Sequence, residues 1–144
     1  MVIDHVGGSL RGLRQTLDAD KRIRFGRHPE CEVAFDVHRD IDASSRHAEL
    51  RPEPESSARW RLVDLGSSNG TYVDGRRVSD LEIAAGSARI VDFGTGGPRI
   101  RLFIGEREQI DRLPAARVAT RLYAIAVAGT VALIAAVVIL ALRC

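Results

Sequence analysis

The chain has 144 residues, which is enough for one ordinary domain and little more. Its composition is 45% hydrophobic and 28% charged, and its formal net charge is +2. Residues 1–104 are formally neutral, so the bulk charge of this part gives no support for nucleic-acid binding. The two cysteines, Cys31 and Cys144, lie far apart in the sequence and predict no disulfide framework. Every basic residue except Lys21 is arginine, which is typical of a high-GC bacterial genome.

Short apolar runs separated by turn residues fill the first hundred residues and predict strands. In Arg22–Phe25 and Arg59–Val63 the apolar side chains mostly fall on one side, as in a half-buried strand. Asp74-Gly75 predicts a hairpin, because both central residues of such a turn need positive φ and aspartate and glycine adopt it readily. The pattern indicates an all-β sandwich built from these candidates: Val2–Val6, Leu13–Leu17, Arg22–Phe25, Glu32–Phe35, His47–Arg51, Trp60–Val63, Tyr72–Val73, Arg77–Val78, Glu82–Ile83, Ala88–Val91 and Arg99–Ile104.

The composition changes after residue 104. Residues 105–121 are polar, and residues 122–142 contain no charged side chain. As a helix, residues 122–142 would measure about 30 Å, the thickness of a bilayer's hydrocarbon core. A buried core helix is the alternative, but so small a domain has no interior to cover one. We therefore predict a single transmembrane α-helix over 122–142. Residues 105–121 are then its juxtamembrane linker, and residues 143–144 are a short tail.

The arginines around the predicted span indicate its orientation. Arg112, Arg117 and Arg121 precede the span, whereas Arg143 alone follows it, which places the N-terminal domain in the cytoplasm. The N-terminus shows no signal-peptide pattern. We expect a single-pass, tail-anchored protein of the cell (plasma or inner) membrane. Alanine recurs at every fourth position of 124–136 and could support a weak homodimer through the transmembrane helix, although chance spacing in an alanine-rich span is the simpler interpretation.

Three polar patches lie between predicted strands, at Gly26-Arg27, at residues 44–47 and at residues 64–71. Taken singly, each has an ordinary explanation as a strand end or a turn. In this order and spacing, Gly-Arg, Ser-x-x-His and Asp-Leu-Gly-Ser-Ser-Asn-Gly-Thr together resemble the forkhead-associated (FHA) domain family. The resemblance has strong motifs over residues 22–78, and the strand pattern extends it across most of residues 2–104. It implies an FHA phosphopeptide-binding domain over residues 1–104.

The resemblance implies an FHA-type sandwich of about eleven strands whose end loops bind phosphothreonine peptides. A phosphothreonine carries nearly two negative charges and three strong acceptor oxygens. The Arg27 guanidinium presents a fixed planar set of donors and is the expected main phosphate ligand. By resemblance Ser44 is the second phosphate ligand, and the remaining phosphate-binding candidates are Ser45, Arg46 and Ser68.

Asn69 is expected to bind the peptide backbone, because a carboxamide both donates and accepts hydrogen bonds. Four further residues are expected to support the site structurally: Gly26, His47, Gly70 and Thr71. Two features leave the peptide preference open. Asp42 would disfavour an acidic peptide residue and could favour a basic or an apolar one, and the Gly94–Pro98 loop is expected at the binding end.

An enzyme is the first alternative, since Ser44, His47 and Asp64 could form a nucleophilic triad. No strand-elbow motif surrounds Ser44, and the FHA resemblance already accounts for these residues. The four histidines are not at metal-ligand spacing and Cys31 has no neighbouring cysteine, so no metal or cofactor is expected.

The predicted function is a non-catalytic, membrane-anchored adaptor in Ser/Thr kinase signalling. Its expected partner is a phosphothreonine-bearing protein, either a Ser/Thr kinase or its substrate. The alternative is a phosphate-independent FHA scaffold within a membrane-associated assembly such as a secretion apparatus. The presence of Arg27, Ser44 and Asn69 favours phosphate recognition.

Overall fold

The computed structural model describes residues 1–54 and 56–114. These residues form a sandwich of two sheets with eleven strands, and each predicted run corresponds to one observed strand, which confirms the all-β prediction. The strands are β1 (Val2–Gly7), β2 (Arg14–Thr16), β3 (Ile23–Gly26), β4 (Val33–Ala34), β5 (Ala48–Glu53), β6 (Ser56–Asp64), β7 (Thr71–Val73), β8 (Arg76–Val78), β9 (Asp80–Ala84), β10 (Ala88–Phe93) and β11 (Arg99–Phe103).

The first sheet has the strand order β2-β1-β11-β10-β7-β8, and the second has the order β4-β3-β5-β6-β9. Among the described strands, neighbours are antiparallel except in the parallel pair β3–β4. The predicted turn between β7 and β8 is confirmed, because φ is +49° at Asp74 and +80° at Gly75. Positive φ at both central positions matches the right-handed twist of the flanking strands.

The core lies between the two sheets and is built from alternating apolar side chains. Phe25, Leu50 and Leu62 come from the second sheet, and Ile100 and Leu102 come from the first; all five are at most 1% exposed. Hydrophobic burial on this scale fixes the strand register, because a slip of one residue would expose the whole apolar set. The loops at the sandwich ends are therefore carried on a rigid support.

After β11 the chain forms a short helix, α1 (Arg107–Asp111), and then lies against the first sheet. Arg14 Nη1 donates to the Leu113 carbonyl oxygen at 3.2 Å, and Arg101 Nη2 donates to the Pro114 carbonyl oxygen at 2.6 Å. The first part of the predicted linker, as far as residue 114, is therefore attached to the β domain.

Both arginines are held by one carboxylate. Asp4 is 3% exposed, and its oxygens lie 2.6 Å from Arg14 Nε and 2.5 Å from Arg101 Nη2. Burial acts to raise the pKa of Asp4, but the hydrogen bonds and charges of the two arginines outweigh it and hold this pKa below its usual value.

The predicted transmembrane helix at 122–142 and the tail at 143–144 lie outside the described residues. Within residues 1–54 and 56–114, no helix has the length and apolar character needed to cross a bilayer. The span, its orientation and the homodimer through it stay predictions.

Candidate functional site

Four loops meet at one end of the sandwich: those joining β3 to β4, β4 to β5, β6 to β7 and β10 to β11. The Arg27 N–H donates to the Ser44 carbonyl oxygen at 3.1 Å, and the Gly94 N–H donates to the Gly70 carbonyl oxygen at 2.9 Å. The Ser68 N–H donates to Ser44 Oγ at 3.0 Å. The three sequence patches, which are far apart along the chain, are therefore joined into one surface.

An aromatic cluster forms the base of this surface. The ring of Phe93 stacks on Phe25 with centroids 5.0 Å apart, and it meets Phe35 at the same centroid distance. The imidazole of His47 approaches Phe93 at 5.4 Å in an edge-on arrangement. Offset and edge-on contacts are the favourable geometries for such rings. Each of these side chains lies next to a site loop, so the cluster holds the loops at a common base.

Gly26 allows the first two loops to approach closely. A Cβ at this position would lie 2.2 Å from the Ser45 carbonyl oxygen, a distance that no side chain could occupy. The neighbouring His28 N–H donates to the same Ser45 oxygen at 2.9 Å. A glycine is therefore required before Arg27 for a steric reason.

The Arg27 guanidinium is oriented by neutral acceptors. Its Nε donates to the Ala43 carbonyl oxygen at 2.6 Å, and its Nη1 donates to the Val37 carbonyl oxygen at 3.0 Å. Within residues 1–54 and 56–114 no carboxylate pairs with Arg27, and its Nη2 makes no hydrogen bond. The side chain is therefore fixed in position while its positive charge is not neutralised.

His47 connects two loops and is completely buried. Its Nδ1 accepts a hydrogen bond from the Ser44 N–H at 2.9 Å, so the proton of the neutral ring lies on Nε2, which donates to the Gly70 carbonyl oxygen at 3.1 Å. Burial lowers the pKa of His47, although the bond to Gly70 and the charge of Asp64 oppose this shift. The neutral ring with its proton on Nε2 is therefore the form of His47 that fits these contacts.

Asp64 organises the third patch. Its Oδ1 accepts from the Gly66 and Ser67 N–H groups at 2.9 and 2.8 Å, and its Oδ2 accepts from the hydroxyls of Ser67 and Thr71, both at 2.6 Å. Burial acts to raise the pKa of Asp64, but these hydrogen bonds outweigh it and keep the pKa below its usual value. Gly70 adopts φ +82° and donates its N–H to Ser67 Oγ at 3.0 Å.

Asp64 and Ser67 belong to the site, although neither is among the site residues predicted from the sequence. A signal was present, because aspartate followed by glycine and serine is typical of a turn in which the carboxylate accepts backbone N–H groups.

Asn69 lies on the exposed rim of the site. Its Nδ2 donates to the Asp42 carbonyl oxygen at 2.9 Å. A Cβ at Gly94 would lie 2.9 Å from the same oxygen and 3.2 Å from Asn69 Cβ, so the loop that begins at Gly94 packs directly against both residues. This arrangement puts the β10–β11 loop beside Asn69, at the end where the sequence places it.

The remaining phosphate-binding candidates are at the surface. Ser45, Arg46 and Ser68 are exposed, and Ser44 is partly buried. Arg46 Nη2 lies 3.5 Å from a Glu30 carboxylate oxygen in a pair that is open to solvent. Exposed pairs of this kind contribute little energy, so Arg46 can exchange Glu30 for another anion.

The triad alternative does not match these contacts. The His47 ring is bound to main-chain groups of Ser44 and Gly70, and Ser44 Oγ accepts from Ser68 instead of donating to His47. The Asp64 carboxylate is occupied by its own loop. No group of three or more metal-ligating side chains occurs in residues 1–54 and 56–114.

The sequence profile of the FHA domain family matches residues 23–94, half of the chain. The chain belongs to the FHA domain family. Among curated relatives, the glycogen accumulation regulator GarA of Mycobacterium tuberculosis is 36% identical over 89 residues, which cover 51% of this chain and 51% of GarA. The oxoglutarate dehydrogenase inhibitor of Corynebacterium diphtheriae is 47% identical over 49 residues, covering 34% of this chain and 30% of that protein. The chain thus spans about half the length of these FHA relatives or less.

Solved structures of FHA domains share the fold. The FHA-1 domain of Mycobacterium tuberculosis Rv1747 aligns with a TM-score of 0.57 and 27% identity, over 73% of this chain and 95% of that one. The FhaA FHA domain, solved in complex with the intracellular domain of Rv3910, aligns with a TM-score of 0.54 and 25% identity, over 69% of this chain and 96% of that one.

Membership of the FHA family also bears on whether the chain is an enzyme. The curated relatives are named as a regulator and an inhibitor rather than as enzymes. Together with the family match, this confirms the prediction that the chain is non-catalytic.

Proposed function

We propose that this FHA protein binds phosphothreonine-containing protein segments at its loop end and acts as a non-catalytic adaptor in Ser/Thr kinase signalling. The observation that carries the proposal is the state of Arg27, whose guanidinium is oriented by two carbonyl oxygens and has no carboxylate partner in the described residues. A phosphate dianion can accept from the unused Nη2 at little cost in side-chain entropy, because the arginine is already ordered.

The serines supply neutral donors beside this charge. Ser44 Oγ already accepts from the Ser68 N–H, so its own hydrogen is available for a phosphate oxygen. Ser45, Ser68 and Arg46 on the exposed rim offer further donors. Together these groups match an acceptor with three oxygens.

Asn69 suits the role of a backbone clamp. The bond from its Nδ2 to the Asp42 carbonyl oxygen fixes the carboxamide. Within residues 1–54 and 56–114 no group donates to its Oδ1, which can therefore accept from a main-chain N–H of the peptide. Such main-chain contacts hold an extended segment without reading its side chains.

The proposed partner is a phosphothreonine-bearing protein, either a Ser/Thr kinase or its substrate. A protein partner is consistent with the structure of the FhaA FHA domain, which was solved in complex with the intracellular domain of Rv3910. A mark on threonine requires a Ser/Thr kinase, which connects the adaptor to kinase signalling.

We further propose that residues 122–142 anchor the module at the cytoplasmic face of the cell membrane. The absence of charge over these residues and the preceding arginines support this arrangement. Tethering would raise the effective concentration of membrane-bound partners. Alkaline extraction of cell membranes tests the anchor: the chain should remain in the pellet, and release into the supernatant would contradict the proposal.

Fluorescence anisotropy tests the phosphothreonine proposal. The purified chain is titrated into matched peptide pools that carry phosphothreonine, phosphoserine or unmodified threonine. Selective binding of the phosphothreonine pool is the expected result. If a folded chain binds no pool, the proposal is wrong and the phosphate-independent scaffold becomes the better account.

A further inference from the structure

We infer that Asp42 makes this site select phosphothreonine peptides that carry a basic side chain close to the phosphorylated residue. The inference rests on the proposed phosphopeptide function and adds to it a class of partner sequence. It concerns one carboxylate that the fold itself does not use.

Asp42 lies between Arg27, the proposed phosphate ligand, and Asn69, the proposed backbone ligand. Its carbonyl oxygen accepts from Asn69 Nδ2 at 2.9 Å, and the carbonyl oxygen of the next residue, Ala43, accepts from Arg27 Nε at 2.6 Å. A peptide that reaches both Arg27 and Asn69 must therefore pass close to Asp42.

The Asp42 side chain lies against three glycines of the β10–β11 loop. A Cβ at Gly96 would lie 3.0 Å from Asp42 Oδ2, and a Cβ at either Gly94 or Gly97 would lie 3.2 Å from Asp42 Cβ. Because these positions are glycine, they contribute only backbone beside the carboxylate. Asp42 is partly exposed, so a group that arrives with the peptide can reach its carboxylate.

Three other acids near the site have structural tasks, whereas the Asp42 carboxylate has none within the described residues. Asp36 accepts from two backbone N–H groups of its own loop, Asp40 accepts from the backbone and hydroxyl of Ser9, and Asp64 organises the third patch. Within residues 1–54 and 56–114 the Asp42 carboxylate makes neither an ion pair nor a hydrogen bond.

An unpaired carboxylate beside a site for a dianion opposes binding through like-charge repulsion. A lysine or arginine of the peptide would neutralise Asp42 and remove this repulsion. An apolar residue would leave the repulsion in place, and an acidic residue would increase it. Of these three classes, a basic residue gains most from Asp42, and an acidic residue is disfavoured by it.

Anisotropy with a set of phosphothreonine peptides tests the inference. Lysine, alanine, leucine and glutamate are placed in turn at each of the three positions on either side of the phosphothreonine. At one or more positions, lysine should bind about fivefold tighter than alanine, and glutamate should bind about fivefold weaker, as for a partly exposed ion pair of about 1 kcal/mol.

Two variants of equal charge change complete the experiment. Asp42→Asn should abolish the preference of lysine over glutamate, and it should strengthen binding of the alanine peptide. Asp20→Asn, an exposed acid on the loop after β2, should leave the preference as in the wild type.

The outcomes separate this inference from the function on which it rests. If phosphothreonine peptides bind but Asp42→Asn keeps the wild-type ratio of lysine to glutamate affinities, the inference is overturned and the proposed function stands. If no phosphothreonine peptide binds the wild type, the proposed function fails and the inference fails with it.

Discussion

Arg27 at the loop end and Arg101 on the first sheet are both held by oxygen atoms, but the oxygens differ in charge. Arg101 is paired with the buried carboxylate of Asp4, whereas Arg27 is bound by two neutral carbonyl groups. The carboxylate neutralises Arg101 and makes it part of the fold. The carbonyls orient Arg27 without neutralising it, so its charge is available to an incoming anion. The partner of an arginine, more than its exposure, distinguishes a binding residue from a structural one.

The largest effect on stability should come from Phe93→Ala at the base of the loops. Phe93 is fully buried and contacts Phe25, Phe35 and His47. Its removal should lower the free energy of unfolding by roughly 3–5 kcal/mol, measured by urea denaturation. The folded fraction should also bind phosphothreonine peptides less tightly, because the loops lose their common base.

Phe103→Ala is the matched control for Phe93. Phe103 is 7% exposed and lies at the other end of β11 from the site loops. It should lower stability and leave peptide affinity as in the wild type. Equal losses of affinity in both variants would show that the aromatic base has no specific part in positioning the loops.

Much of the fold could be predicted from the sequence, because strands and turns are encoded locally. The alternation in β6 and the positive-φ pair at Asp74-Gly75 are examples. The site could be predicted only as a set of residue types. Its geometry depends on contacts between distant segments, such as that of Arg27 with Val37 and that of Phe25 with Phe93, which no local pattern specifies.

Arg101→Ala should have an intermediate effect that is confined to stability. It removes the hydrogen bonds to Asp4 and to the Pro114 carbonyl oxygen, so the free energy of unfolding should fall by about 2 kcal/mol. Affinity for phosphothreonine peptides should not change, because Arg101 lies on the sheet that holds the linker. If Arg101→Ala lost peptide affinity and kept its stability, Arg101 would be a binding residue and not a structural one, which would contradict the comparison with Arg27.

The smallest effect is a dependence of stability on pH. Burial lowers the pKa of His5 and His47 from the ordinary value of 6.5, so the unfolded chain takes up protons more readily than the folded one. Stability contributed by the neutral rings is present above pH 6.5 and is lost as the pH falls below that value.

Urea midpoints between pH 7.5 and 5.5 measure this dependence without interference from the phosphate, which itself titrates near pH 6. His47→Gln should reduce the slope of midpoint against pH, and the exposed His38→Gln should not. An unchanged slope in His47→Gln would contradict the assignment of a neutral His47 ring in the folded chain.

The most direct measurement compares phosphothreonine-peptide affinity and the free energy of unfolding in Arg27→Ala and Arg101→Ala. Arg27→Ala should weaken binding about 100-fold, equivalent to roughly 3 kcal/mol for two charge-assisted hydrogen bonds, and should lower the free energy of unfolding by at most about 1 kcal/mol. Arg101→Ala should show the opposite pattern. An Arg27→Ala protein that binds the phosphothreonine peptide at wild-type strength would contradict the account of this site.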